Sequence, residues 1–527
     1  MIGALFFVWR EIDVRWLYIK VSIIFILLCP LNMVHAYGES ADSQADELVL
    51  ALTREPRLGF DPIAGLEAGG TGFIHSTLLS LNGKMEISYD LAEEYQMSED
   101  KLIWEFKLRD DAYFTDGQKV TAYDVAFTYQ LAKDRGEIKG LEGFEQTQVI
   151  DDYTVQFLFK KPMSSFVYTA ASIGIVSSES YGDESNSEPI GSGPYQLIKW
   201  EKGKAAVFVR NDNYYGHTPF FRRIQVLFVR EDEAYAMAKD GRADLVQSTG
   251  AYAEDKINGM ETLLVEGADN RGISLVTVPE GASLNGAAAG NNVTVDPSIR
   301  KAIQAGVDRE RMVEKVLNGF GRETWSAALG LPWGQPAEGE RNKNKADEIL
   351  RIGGWVDSDD DGLIEKKGRK ANFTLSYPFD DPIYKAMALE LKEQLAEMGI
   401  MISIKECTWP EMKQYRQTGA SLLKSEAYNP FDLYYLYHSN NRGIGYGNPS
   451  LYASERVDSA IETAFWSGDF ADWQKAEELA LEDVPVVWLV NIPQVYFVKK
   501  GLRLGKNYAP SVSPLSILNG AEDWCLE

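Results

Sequence analysis

The sequence predicts an α/β protein with two or three lobes, and three observations indicate this fold class. The chain of 527 residues is too long for one simple hydrophobic core. A helical pattern that begins at Asp381-Pro382 runs directly into the alternating segment 400–404, as in the helix-to-strand unit of an α/β lobe. The near-continuous apolar run 483–498 is typical of a buried strand that crosses between lobes.

The N-terminus predicts export to the periplasm. Three basic residues precede the apolar run 21–31, and small residues suited to cleavage follow it, ending at Ala36. We therefore expect a signal peptide over residues 1–36, cleaved near Ala36. The polar, acidic stretch that follows predicts a disordered leader over residues 37–45.

An uncleaved membrane anchor is the alternative interpretation of this terminus. The apolar run is short for a full span, and Pro30 interrupts it. Cys29 suggests a lipoprotein, but Leu28 stands where a lipid-attachment motif needs a small residue. Cleavage without lipid anchoring is therefore the favoured prediction.

The composition excludes several classes of function. The formal net charge of −25 argues against a nucleic-acid partner, because phosphate binding needs clustered Lys and Arg. It also disfavours adsorption to an anionic membrane surface. The sequence contains no G-x-S-x-G or H-E-x-x-H motif and no zinc-ligand spacing, so we predict a protein that is not an enzyme and has no cofactor.

The clearest sequence signals for secondary structure lie between residues 103 and 130. Apolar and charged residues alternate over 104–109, as in a half-buried strand, and Asp116-Gly117 predicts a turn. Thr121 and Asp124 have the spacing of a capping box at the start of a helix. The segment thus predicts strand, turn and capped helix, with no group placed for chemistry.

Two further helices are predicted in the second half of the chain. Asp296-Pro297 is a helix start, with apolar residues at helical spacing after it. Asp308 opens the next helix, which Asn318-Gly319 should end.

In this order, the segments resemble the family 5 solute-binding proteins of bacterial ABC importers, the oligopeptide, dipeptide and nickel-binding group. The resemblance covers nearly all of the mature chain. It is carried by residues 113–129, 190–216, 240–245, 296–321, 388–404 and 480–490. It implies a two-lobed periplasmic-binding-protein fold, type II and cluster C-like, with an extra subdomain inserted in the first lobe. The legible motif at 111–130 would then be a scaffold element of that subdomain.

The resemblance also implies a division of the chain. Lobe one would comprise residues 46–75, 188–277 and 492–527. The inserted subdomain would comprise residues 76–187, and lobe two residues 278–491.

The function implied by the resemblance is that of a substrate-binding receptor of an ABC importer. It would capture a short peptide or peptide-like small solute by hinge closure and deliver it to the permease and ATPase subunits, acting as a monomer. Two alternatives stay open. One is a receptor for a nickel chelate; the other is a secreted hydrolase, suggested by the acidic charge and twelve Trp residues.

Ligand-binding residues are predicted in two loops and on aromatic walls. The glycine-rich loop 66–73 borders the cleft in this family, and a strand over Asp432–Tyr437 would deliver a polar, aromatic loop to its end. The predicted ligand-binding residues are Thr71, Trp325, Trp409, Tyr437, His438, Asn441, Arg442 and Tyr446.

Two features bear on the kind of ligand. Peptide-binding members of the family usually carry an Asp after this strand, which pairs with the peptide's amino terminus, but residues 438–447 contain none. His438 suggests a contact to a metal chelate, although no two His residues of the mature chain have chelate spacing. No protein metal site is therefore assigned.

The acidic loop 357–368 imitates a calcium-binding loop. Asp357, Asp359 and Asp361 match its first ligand positions, but Gly368 stands where the bidentate Glu is required. A solvated acidic turn is the favoured interpretation. Of the cysteines, Cys407 and Cys525 remain after cleavage, and two free thiols are favoured over a disulfide.

Overall fold

A computed structural model describes residues 46–65, 71–267, 269–284, 286–336, 339–426, 428–505 and 515–527. The predicted signal peptide, the leader and the loop residues 66–70 lie outside this part of the chain. Within it, no helix combines the length and the apolar character that crossing a membrane requires.

The described chain contains both strands and helices throughout its length. The strands are β1 Glu47–Leu52, β2 Leu79–Leu81, β3 Ile87–Tyr89, β4 Ala92–Met97, β5 Ile103–Leu108, β6 Phe144–Asp151, β7 Thr154–Phe159, β8 Tyr195–Glu201, β9 Ala205–Arg210, β10 Arg223–Phe228, β11 Leu245–Ser248, β12 Met260–Val265, β13 Asn270–Leu275, β14 Ala282–Leu284, β15 Ala287–Ala289, β16 Arg322–Glu323, β17 Glu365–Lys366, β18 Arg369–Lys370, β19 Asn372–Pro378, β20 Met401–Cys407, β21 Ala420–Ser425, β22 Val486–Asn491, β23 Gln494–Lys499, β24 Leu502–Arg503 and β25 Cys525–Leu526. The α-helices are α1 Ala122–Arg135, α2 Phe166–Ala170, α3 Glu231–Asp240, α4 Pro297–Gly306, α5 Arg309–Leu317, α6 Lys343–Ile352, α7 Pro382–Ala396, α8 Trp409–Tyr415, α9 Phe431–Tyr437, α10 Glu455–Ser467 and α11 Phe470–Asp483.

A seven-stranded sheet forms the first half of the molecule, in the order β12-β23-β11-β1-β10-β9-β8. Strand β1 lies near its centre and is parallel to both β10 and β11. Its residues Leu50, Ala51 and Leu52 are fully buried, because a central strand packs on both faces.

A six-stranded sheet forms the second half, in the order β16-β22-β13-β21-β19-β20. The predicted helix-to-strand unit is confirmed here. Asp381 caps α7 by accepting the N–H of Ile383 at 2.9 Å, and the chain then returns as β20, parallel to β19. Helices α4 and α5 also begin at the predicted caps, Asp296 and Asp308.

The chain passes between the two sheets at residues 266–269 and again at 492–493. The apolar run 483–498 is therefore two strands rather than one: β22 pairs in the six-stranded sheet and β23 in the seven-stranded sheet. Pro493, which has no N–H to donate to a ladder, lies at the break. The predicted division placed β13 in lobe one, whereas β13 pairs with β21 and β22 in the six-stranded sheet.

Along the sequence, a smaller four-stranded sheet, β4-β5-β7-β6, is inserted between strands β1 and β8 of the seven-stranded sheet. Helix α1 covers it, and together they enclose an aromatic core that includes Trp104, Phe106 and Tyr129. The predicted strand, turn and helix at 103–130 are confirmed, with β5 alternating between buried and more exposed residues.

The capping residue Asp124 also fixes a second segment of the chain. Its carboxylate accepts the N–H and hydroxyl of Thr121 at 2.9 Å each. It also accepts the N–H and hydroxyl of Ser178 at 2.8 Å each. Asp124 is buried, so the local helix-start signal doubles as a tertiary anchor.

The structure corrects the predicted strand over Asp432–Tyr437, which is helix α9. Residues 431, 433, 436 and 437 are buried, a helical spacing rather than an alternating one. Pro430 precedes the helix with φ of −54°, a value suited to a helix start. The run "FDLYYLY" is aromatic enough to suit a strand, and tertiary packing decides its conformation.

We predict that Asp124→Ala lowers the free energy of unfolding by about 3 kcal/mol, since partly buried N–H and hydroxyl groups of two segments lose their acceptor. Urea unfolding of the purified protein measures this change. The matched control is Asp134→Ala in the same helix, where the carboxylate is exposed and accepts a hydrogen bond from Gln130 Nε2 at 2.8 Å. The control should lie within about 0.5 kcal/mol of the wild type. Equal losses in both variants would contradict the anchoring role.

Candidate functional site

The two sheets present the carboxyl ends of their parallel strands to the junction between them. In the seven-stranded sheet, Ser248 at the end of β11 pairs with Val495 at the start of β23. In the six-stranded sheet, Ser425 at the end of β21 pairs with Asn270 at the start of β13. Since β23 and β13 adjoin the two crossings, these strand ends face the same cleft. Ligands of open α/β sheets collect at such ends.

Residues just beyond the strand ends meet across this cleft. Arg57, which follows β1, lies 3.5 Å from Asp380, which follows β19, measured from Nη2 to Oδ2. Trp409, which follows β20, donates its indole N–H to the same oxygen at 3.2 Å. Asp380 thus links one sheet's strand end to the other's.

An ion cluster centred on the buried Arg271 lies at the first crossing. Arg271 Nε lies 3.0 Å from Asp269, and Nη1 lies 2.7 Å from Asp381, the residue that caps α7. Burial acts to raise the pKa of Asp269, but Arg271 outweighs it, with Lys424 and Arg54 adding to the effect, and the pKa lies below its ordinary value. The cluster fixes the crossing to the start of α7, with the exposed Arg54 contributing from the opposite sheet.

Glu426 is the first residue after β21, and sequence reasoning missed it. The prediction looked for an acidic residue after 437 because it placed the strand over Asp432–Tyr437. With the strand ending at Ser425, Glu426 stands at the cleft, 2.9 Å from Lys424 Nζ. Tyr428 follows, and its hydroxyl lies so near the crossing that a Cβ on Gly267 would meet it at 3.0 Å.

Two of the predicted ligand-binding residues contact each other at this cleft. The rings of Trp409 and Tyr446 lie 5.7 Å apart, edge to face, and the Tyr446 hydroxyl donates to the Trp409 carbonyl at 3.1 Å. Their exposed fractions are 37% and 48%, large for aromatic side chains. The Arg416 guanidinium lies 5.3 Å from the Tyr446 ring on its other side.

Three others are buried behind the cleft. The Tyr437 hydroxyl accepts the Trp488 indole N–H at 3.0 Å inside the core, and Asn441 donates to the Tyr434 carbonyl at 2.9 Å. His438 Nδ1 accepts the N–H of Asn440 at 3.1 Å. Burial lowers the pKa of His438, although Asp458 and Glu462 oppose this. The structure thus gives these side chains internal contacts.

The remaining predicted residues lie apart from Trp409 and Tyr446. Arg442 donates to the Leu451 carbonyl at 2.9 Å. The Trp325 ring stacks on the buried Arg309 guanidinium at 3.4 Å. Thr71 forms an isolated bridge with His75. In the described residues, no hydrogen bond or ring contact joins Thr71 or Trp325 to the Trp409–Tyr446 pair.

The acidic loop and the cysteines make none of the cleft-edge contacts described above. Asp357, Asp359 and Asp361 are exposed, with carboxylate oxygens within 4.8 Å of one another, and the Lys370 ammonium pairs with the latter two. Cys407 and Cys525 are free in the structure, and Cys407 is buried at the end of β20.

Comparison with known proteins places this architecture. Residues 86–447 match the family model described as "Bacterial extracellular solute-binding proteins, family 5 Middle". Protein XP55 of Streptomyces lividans is 28% identical over 477 residues, covering 86% of this chain and 84% of that protein. The oligopeptide-binding protein AppA of Bacillus subtilis (strain 168) is 25% identical over 485 residues, covering 85% and 86%.

A solved structure confirms the predicted two-lobed fold. NikZ from Campylobacter jejuni, in complex with Ni(L-His), superposes with a TM-score of 0.75 at 20% sequence identity. The superposition covers 91% of this chain and 99% of that chain.

The partner of Thr71 supplies a pH test of the fold beside the loop 66–73. His75 is fully buried, and burial lowers its pKa from 6.5 to about 4, so the unfolded chain binds more protons between these pH values. We predict that this residue lowers the free energy of unfolding by about 3 kcal/mol as the pH falls from 6.5 to 4.

In His75→Gln this contribution disappears. The difference in free energy of unfolding between wild type and variant should therefore shift by about 3 kcal/mol, in the variant's favour, between pH 7 and pH 4. Denaturant unfolding at both pH values measures it. His217→Gln is the control, since the His217 side chain is 60% exposed. A pH-independent difference for His75→Gln would contradict the assignment.

Proposed function

Because the chain belongs to the bacterial extracellular solute-binding proteins of family 5, we propose that it captures a short peptide or peptide-like solute in the cleft between its two sheets. The function is that of a solute-binding protein of an ABC importer, and it is not enzymatic. Two-lobed periplasmic binding proteins close about a hinge when they bind a solute. Closure removes the solute from water and brings both cleft edges into contact with it.

The observation that carries the peptide proposal is the charge pattern of the facing strand ends. Arg54 and Arg57 lie beyond a cleft-facing strand end of the seven-stranded sheet. Asp380 and Glu426 lie beyond cleft-facing strand ends of the six-stranded sheet. A peptide carries an ammonium group at one end and a carboxylate at the other. Acids on one edge and arginines on the other offer both ends a charged partner.

Aromatic side chains supply the apolar part of the proposed site. Trp409 and Tyr446 form an edge-to-face pair whose rings stay partly exposed at the cleft. Such rings offer contact area to peptide side chains with little loss of conformational freedom. From the predicted set we retain this pair, and we add Arg54, Asp380 and Glu426.

The crossings at 266–269 and 492–493 are the proposed hinge. They are hydrogen-bonded to each other, since Ile492 donates its N–H to the Asp269 carbonyl at 2.9 Å. A solute stabilises the closed state only by its greater affinity for that state. Contacts made from both cleft edges at once satisfy this condition.

The wider setting follows from the same proposal. The chain is exported by cleavage near Ala36, acts as a monomer and hands its solute to permease and ATPase subunits. The inserted subdomain is residues 76–187. The pairing of β13 moves the proposed boundary between lobes from 277 to the crossing at 266–269.

A nickel chelate is the second candidate ligand. NikZ, which shares the fold, was solved with Ni(L-His). The described cleft-edge residues named above offer carboxylates and arginines, and His438 is buried with its Nδ1 in use. A chelator with its own carboxylates would therefore supply most metal ligands and be held through Arg54 and Arg57.

We predict that Glu426→Gln weakens trialanine binding at least tenfold, about 1.4 kcal/mol, because a charged partner of the peptide ammonium is lost. Titration calorimetry of protein purified without refolding measures it. N-acetyl-trialanine, which has no ammonium group, should bind both proteins equally.

Glu478→Gln is the control, on a surface helix where the carboxylate pairs with the exposed Lys475 at 2.6 Å. Its affinity for trialanine should equal that of the wild type. Binding of Ni(L-His) without binding of trialanine would replace the peptide proposal with the chelate one.

A further inference from the structure

The four-stranded subdomain is fastened firmly to the seven-stranded sheet. The chain enters and leaves it from that half of the molecule. Asp61, which follows β1 and is buried, accepts Arg135 at 2.7 Å and the Tyr181 hydroxyl at 2.6 Å. The Arg109 guanidinium stacks 4.0 Å from the centre of the Tyr215 ring. These contacts tie the subdomain to the seven-stranded sheet.

The same subdomain also contacts the other half of the molecule through helix α9. Lys139 Nζ lies 2.7 Å from Asp432 and 5.0 Å from the centre of the Tyr435 ring. Asn429 donates its side-chain N–H to the Thr169 hydroxyl at 3.2 Å. Phe431 is fully buried in the subdomain's own aromatic core.

A second patch extends this contact along helices α10 and α11. Lys101 Nζ donates to the carbonyls of Trp466 and Ser467 at 2.6 and 3.1 Å. The Ser164 hydroxyl donates to the Trp466 carbonyl at 2.8 Å. The backbone N–H of Ser164 also donates to the Phe465 carbonyl at 3.2 Å, and the Tyr168 ring lies 6.2 Å from the Phe470 ring of α11. Met85 and Tyr168 are buried in the apolar core of the six-stranded half. The subdomain therefore reaches that half through side chains, a backbone hydrogen bond and apolar packing.

These contacts lie between the two halves that separate when the cleft opens. Opening the cleft swings the six-stranded sheet about the two crossings, and the contacts with α9 to α11 are those that must separate. Helix α9 begins shortly after Glu426 and Tyr428, the residues at the end of β21. Solute contact at Glu426 and docking of Phe431 therefore occur on one short segment.

We propose that helix α9 is a clasp that fastens the inserted subdomain to the six-stranded half when the cleft closes, with the Lys139–Asp432 pair and Phe431 as its contacts. The subdomain then takes part in closure and is more than a passive scaffold. The proposal rests on hinge closure, which the proposed function uses, but not on the identity of the solute.

Charge reversal tests the clasp without any ligand. In Lys139→Glu, the new carboxylate would face Asp432, so the closed arrangement is disfavoured. We expect a larger radius of gyration by X-ray scattering and about threefold faster hydrogen exchange over residues 429–437, the scale of a partly exposed ion pair. Asp432→Lys should act in the same way. The double variant Lys139→Glu/Asp432→Lys should restore both quantities, because the pair is re-formed with reversed signs.

The matched control is the reversal of Arg456 and Glu482, a pair 2.7 Å apart that joins α10 to α11 without bridging to the subdomain. Arg456→Glu should leave both quantities unchanged. Circular dichroism of each variant separates opening of the cleft from loss of the fold. Single clasp variants with wild-type radius and exchange, or a double variant that does not recover, would overturn the proposal. Failure of trialanine to bind would bear on the proposed function alone.

Discussion

The structure depends on the way in which the chain joins its two sheets. It crosses at 266–269 and at 492–493, and the crossings are tied by the hydrogen bond from Ile492 to the Asp269 carbonyl. Beside this bond, the buried Arg271 pairs with Asp269 and with Asp381, the cap of α7, both of which are partly exposed. Removing one member of such a cluster leaves an uncompensated buried charge, so the junction resists local change. We expect the two halves to move relative to each other about this junction.

The position of the junction decides where chemistry is placed. Strands β1 and β11 end on one side of it, and β19, β20 and β21 end on the other. Charged and aromatic residues follow these ends directly, and in the proposed site a solute between the halves meets Arg54 and Arg57 on one side and Asp380, Trp409 and Glu426 on the other. A protein that binds and releases needs no reactive group at this place. This accounts for the absence of a catalytic motif from a sequence with clear scaffold motifs.

Much of the fold could be predicted because its signals are local. The Thr121–Asp124 cap and the helix starts at Asp296, Asp308 and Asp381 depend on a few adjacent residues, and the structure contains each of them. The segment 431–437 could not be predicted in this way. Its aromatic composition suits a strand, but burial of Phe431 in the core of another sheet favours the helix.

That one error also decided where the sequence analysis looked for an acidic residue at a strand end. An acidic residue at a strand end is visible only once the strand is placed correctly, and Glu426 was therefore missed while His438 and Asn441 were chosen. Trp409 and Tyr446 were predicted from their type and meet in the structure at 5.7 Å. Their contact joins segments far apart in sequence, and single-sequence reasoning does not reveal such pairings. Asp380 could not be identified from the sequence for the same reason, because its contact is with Arg57 from the opposite sheet.

The central claim is that the two halves close about the crossings around a solute. The most direct measurement is the distance between spin labels at two exposed lysines, Lys202 and Lys392, in protein whose Cys407 and Cys525 are replaced by Ser. The account predicts two distance populations, with trialanine shifting the protein to the shorter one. A single distance that trialanine does not change would contradict it.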